Sequence, residues 1–220
     1  ALGFDAKPAL VSMFRNRGIA AYAPGHEQFD HVIAREVADG TTYWLDATAQ
    51  GQGIALASRG HHPYGMALVV GGGSNELQAV LHPASHPNRI DYVQRWDFSR
   101  IDAPATMQAT MTVTGSVAER WRTTAANSTP QQIADALAGA HARARNGLKV
   151  MGDPSIEDDR KTNVFKVAVA FEYPAEAAYR MGGFDIDFTA FEMSEHLGGP
   201  AETKRRTPWL LDTPRHVSST

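Results

Sequence analysis

Two side chains in the N-terminal third have the types and spacing for acid–base work. They are His31, in Phe29-Asp30-His31-Val32-Ile33, and Asp46, in Tyr43-Trp44-Leu45-Asp46-Ala47-Thr48. A carboxylate on one imidazole nitrogen fixes the tautomer and steadies the imidazolium, which prepares the other nitrogen to serve a nucleophile. Asp39-Gly40, between them, suits a two-residue hairpin turn. Two strands joined there, at ~3.3 Å per residue, carry the histidine of the first alongside the carboxylate that ends the second. Read alone, His31 is an ordinary half-buried strand histidine and Asp46 a strand-end residue capping the next turn. The spacing makes them a pair.

The flanking sequence supplies elements to hold that pair. Leu10, Val11, Met13, Phe14 and, just beyond the Gly18 stop, Ile19 recur at near-helical spacing after Pro8, which predicts a short core-facing helix over residues 8–17. Residues 29–37 and 41–45 read as the two strands of the hairpin, and 64–70 as a further strand closed by Gly71-Gly72-Gly73. The run His82-Pro83-Ala84-Ser85-His86-Pro87-Asn88 has the punctuation of a linker. Beyond it, strands are expected over 105–114, 116–124, 162–173 and 184–191. A helix is expected over 130–145 with Thr129 as N-cap. The organisation predicted is a first domain over 1–80, a linker and first strand region over 81–104, and a β-rich domain with one helix over 105–220.

Composition excludes several classes. Lys and Arg number 21 against 24 Asp and Glu, for a net charge of −3, and the only basic run is Lys204-Arg205-Arg206. No nucleic-acid partner is expected from such a balance. No run approaches the ~18 apolar residues of a membrane span. The chain has no cysteine, which removes disulfides, thiolate zinc sites and a cysteine nucleophile of its own. His61, His62, His82 and His86 are the remaining ligand-type cluster. Pro83 and Pro87 break the helix that would put His82 and His86 on one face, so no metal is expected. Gly71-Gly72-Gly73 lacks the context of a phosphate loop and Glu157-Asp158-Asp159 the alternation of a calcium loop. Both read as turns, and no cofactor is expected.

The motifs at 29–33 (Phe-Asp-His-Val-Ile), 40–48 (Gly-Thr-Thr-Tyr-Trp-Leu-Asp-Ala-Thr) and 64–70 (Tyr-Gly-Met-Ala-Leu-Val-Val) resemble the transglutaminase-like superfamily. The likeness is to bacterial multidomain members in which that core precedes a β-rich domain. It extends more weakly to the C-terminal half and its closing Arg206-Thr207-Pro208-Trp209-Leu210-Leu211. The resemblance implies an α+β fold with part of a papain-like core, His31 as catalytic base, Asp46 as its orienting acid, and a polypeptide substrate whose amide bonds are attacked by a Cys-His-Asp triad. It also implies a periplasmic or cell-envelope location and a missing N-terminal part of the same protein as partner. Trp44 and Tyr64 are the candidate substrate-binding residues, although Trp44 also fits core packing.

The chain departs from that pattern at the nucleophile. Aligning the family's Asp-Cys-Lys element with Asp5-Ala6-Lys7 puts Ala6 where the cysteine belongs. A natural pseudoenzyme that binds polypeptide, a replacement of Cys by Ala, and residues missing around that segment all account for it.

Overall fold

The computed structural model describes residues 5–71, 73, 75–82, 88–99, 103–142, 147–174, 179–180, 183–184 and 215–220. Its first strand, β1 (Asp5–Val11), lies between β2 (His31–Ala38) and β4 (Met66–Val69). β3 (Thr41–Leu45) and β5 (Leu77–Ala79) complete a five-stranded antiparallel sheet in the order β3-β2-β1-β4-β5. The turn from β2 to β3 is Asp39-Gly40, with φ of 49° and 75°. Positive φ at both central residues is the type I′ geometry that matches strand twist, and glycine meets it without steric cost.

Register then decides what faces inward. Directly opposed residues share a face, so the pairs Ala9 with Ile33 and Val69, and Val11 with His31 and Ala67, all point one way. That face is the first core, built from Ala9, Val11, Ile33, Trp44, Tyr64, Ala67, Val69 and Val80. His31 stands at its rim.

A second five-stranded sheet has the order β12-β6-β7-β9-β8. Its strands are β6 (Asn88–Asp97), β7 (Ala105–Thr114), β8 (Lys149–Asp159), β9 (Val164–Tyr173) and β12 (Arg215–Ser219). β10 (Tyr179–Arg180) and β11 (Gly183–Phe184) form a two-stranded ribbon. Ala105, Met107, Ala109, Met111 and Val113 of β7 alternate inward, as do Phe165, Val167, Val169 and Phe171 of β9. Two helices, α1 (Gly115–Ala126) and α2 (Pro130–Ala142), add Val117, Ala118, Ile133, Ala134 and Leu137 to that core. Thr129 begins α2 with a capping box. Its hydroxyl accepts from the Gln132 N–H (3.2 Å), and its own N–H donates to the Gln132 side chain (2.8 Å).

The expected α+β, papain-like core is therefore corrected to a β-rich fold. The segment 8–17, expected as a helix, is strand β1 followed by a turn and a 3-10 segment at Asn16–Ala21. Its apolar residues do not form one helical face: Met13 and Phe14 are 51% and 82% exposed, whereas Ala9 and Val11 are fully buried at strand spacing. Pro8 is tolerated because it opposes Val70, just past the end of β4, where Val70 donates to its carbonyl (2.8 Å). The strand expected over 116–124 is helix α1, since Val117, Ala118, Trp121 and Ala125 meet the second core at helical spacing. Residues 157–159 end β8 rather than form a turn alone. Most of the strand expected over 184–191, the 206–211 run and His86 lie outside the described residues. Among the described residues no helix is long and apolar enough to cross a membrane.

A buried polar cluster joins the 51–60 loop of the first sheet to the second. The Glu119 carboxylate accepts from the N–H of Gly60 (2.8 Å) and from Asn163 (3.1 Å). Arg122 donates to Asp158 (2.5 Å), Asn163 (2.5 Å) and the carbonyl of Gly51 (3.0 Å). Glu119 and Arg122 are 3% and 6% exposed, so neither can fall back on water. Replacing Arg122 by Ala removes the donor to five acceptors, the three above and the carbonyls of Asp159 and Val164, and should cost about 3–5 kcal/mol in urea unfolding. A loss under about 1 kcal/mol would show that the cluster does not hold the sheets together.

Candidate functional site

The type I′ turn pairs Ala38 with Thr41 and carries the register to Ala34 opposite Leu45. Continued by one residue, it sets Asp46 opposite Ile33 and diagonal to His31, on the same face, within reach of two extended side chains. His31 Nε2 lies 2.9 Å from Asp46 Oδ2. The Asp46 side chain is 5% exposed and that of His31 18%.

Asp46 is saturated with donors. Oδ1 accepts from the Thr48 N–H (2.9 Å) and the Thr48 hydroxyl (2.7 Å), and Oδ2 accepts from Tyr64 Oη–H (2.6 Å) besides His31. Burial resists the charge, but the hydrogen bonds from Tyr64, Thr48 and His31 outweigh it and hold the carboxyl far below the usual range. An ionised acid has no proton to give, so His31 Nε2 must be the donor. The neutral ring then carries its lone pair on Nδ1, the nitrogen a general base needs.

Tyr64 is itself fixed. Its ring stacks on His31 (centroids 5.7 Å apart, planes at 28°) and meets the ring of His62 (5.7 Å, 34°). The backbone at Gly65 runs so close to Asn16 and Arg17 that a Cβ there would collide with both. Burial and the adjacent Asp46 push the Tyr64 hydroxyl well above its ordinary value, so it stays a donor.

Beside the pair is an open depression of about 620 Å³ lined by Leu10, His26, Phe29, Asp30, His31, Val32 and Thr48. Asp30 is turned away from base chemistry. Burial opposes its charge, yet the Met13 N–H, the Ser12 hydroxyl and the Phe14 N–H keep it ionised below its ordinary value. The hydroxyls of Thr48 and Ser12 are thus spent on Asp46 and Asp30.

The structure unites His31 with Asp46 and Tyr64, and leaves Ala6 and Trp44 apart from them. Ala6 opposes Glu36, five positions along β1 from the Val11 and His31 pair, or about 17 Å at strand rise. Trp44 is 8% exposed in the first core and lines a separate hollow of about 380 Å³ with Arg35 and His82. Tyr64, expected to line the cleft, instead binds the carboxylate. Thr48 is the site residue that sequence reasoning misses, although Asp-x-Thr is the pattern of a side chain bonding two residues on. The stacked rings of His61 and His82 (4.3 Å, 14°) belong to no group of three or more metal-type ligands among the described residues.

No protein-family model, curated protein or solved structure matches the chain, so this chemistry carries the assignment alone. The chemistry also sets how stability responds to acid. With its folded pKa below the ordinary 3.8, Asp46 contributes stability that is complete above that value and is lost as the pH falls below it. Asp46→Asn should therefore lower urea midpoints above about pH 5 and converge with the wild type in stronger acid. A constant gap would mean that the carboxylate is not held ionised. Burial, with His61 and His62 nearby, draws His82 from 6.5 down to about 4. The unfolded chain takes up that proton first, so stability drops as the pH falls from 6.5 to 4, by up to ~1.4 kcal/mol per unit. His82→Asn should flatten this window, and an unchanged slope would refute it.

Proposed function

We propose that this chain carries the base half of an amide-processing centre of the transglutaminase-like kind. His31 takes the proton of a nucleophile that attacks a carboxamide of a polypeptide lying in the depression, then returns it to the departing amine. Asp46 holds the tautomer and balances the imidazolium. The observation that carries this reading is the saturated, ionised Asp46 on Nε2, which leaves Nδ1 as the basic nitrogen. The chain encodes no cysteine, so a thiol nucleophile has to come from another polypeptide segment.

A second reading, polypeptide binding without turnover, gains from the exposure of Val32 in the wall of the depression and of Met13, whose N–H bonds Asp30. Without a nucleophile the same pocket would hold a chain and leave it intact.

Hydrolysis of p-nitrophenyl acetate tests the base directly, because an activated ester accepts water or imidazole without a thiol. The wild type should exceed His31→Ala by ~10²-fold, the lower end for a positioned base, and Asp46→Asn should fall between them. Equal rates for wild type and His31→Ala would sink the catalytic reading. If labelled, unfolded casein nonetheless bound the wild type and lost affinity for Val32→Glu, the binding reading would stand in its place.

A further inference from the structure

Tyr64 is the group at this site whose chemistry is still unassigned. We propose that Tyr64 is a positioning residue that sets the basicity of His31 through the shared oxygen of Asp46, and does not itself touch substrate. The inference rests on the base reading of His31 and goes further, by naming what tunes it.

The geometry makes the two donors rivals. The Tyr64 hydroxyl and His31 Nε2–H both end on Oδ2, at 2.6 and 2.9 Å, while Oδ1 is filled twice over by Thr48. Density drawn toward the phenol is unavailable to the imidazolium, and in a buried site that competition is little screened. Tyr64 is 5% exposed, and its hydroxyl sits on the carboxylate, while the depression that His31 lines is walled by other residues. Moderating the carboxylate favours the neutral ring, the form that accepts a proton. Stacking on His31 stops that ring from turning away. Among the described residues, the titratable groups around His31 are Asp46 after β3, Tyr64 before β4, Asp30 ahead of β2 and His26 across the depression. Tyr64 is the one that acts on the same oxygen.

The test is the NMR titration of the His31 ring in the full chain. Tyr64→Phe removes the rival donor, so the His31 midpoint should rise by ~0.5–1 pH unit. Biosynthetic replacement of tyrosine by 3-fluorotyrosine makes the phenol a stronger donor, so the midpoint should fall. The same labelling in Tyr64→Phe should leave it unmoved. A role in packing alone predicts no such opposed pair of shifts, and the fluorinated chain decides the matter if Tyr64→Phe does not fold. Asp46→Asn serves as reference and should lower the midpoint. If Asp46→Asn moves it while neither tyrosine change does, the tyrosine assignment is wrong and the base pair stands. If Asp46→Asn also leaves it in place, the pair and the assignment fall together.

Discussion

The first half of this molecule is organised around one buried carboxylate that must remain charged. Asp46 sits where water cannot solvate it, so each of its lone pairs has to find a protein donor, and Thr48, Tyr64 and His31 meet that need from three parts of the chain. The requirement reaches outward. Tyr64 can donate only because the backbone at Gly65 packs against Asn16 and Arg17, and His31 only because β2 keeps its register against both β1 and β3. A slip of one residue in the hairpin would turn His31 to the opposite face and leave the charge short of a donor.

The same demand continues along the loop that follows. The Asp46 carbonyl accepts from Gln52 (2.5 Å), and the next residues end in the polar cluster of Glu119, Arg122 and Asn163. The dyad is therefore tied by a short run of hydrogen-bonded chain to the second sheet. Polar groups buried this far from solvent are tolerable only as a complete set, so the loop has a single arrangement that satisfies all of them.

What the chain reveals of its own fold follows locality. Asp39-Gly40 and the period-two alternation on either side fix turn, register and face together, so the pairing of His31 with Asp46 is legible in the residues themselves. β7 and β9 are legible through the same alternation. β1 is not, because Leu10, Val11, Met13 and Phe14 satisfy a helical period as well as Ala9 and Val11 satisfy an extended one, and only its neighbours β2 and β4 decide between them. α1 is obscured because Glu119 and Arg122 interrupt its apolar face, their partners lying 36 to 71 positions away. The role of Tyr64 depends on a contact across 18 positions that no local pattern encodes. Charged residues set into an otherwise apolar helical face are the one signal that could expose the polar cluster.

The strand β12 has a consequence for how the chain is built. It pairs in parallel with β6, and Ser218 bonds Asp91 across 127 positions, whereas β6 with β7 and β8 with β9 pair as consecutive strands. Closing so long a loop costs entropy that is recovered only once the far strand is seated. During synthesis β6 thus waits as an uncovered sheet border until β12 emerges, a stage at which another polypeptide's strand can dock in its place. In the finished molecule β12 covers that border.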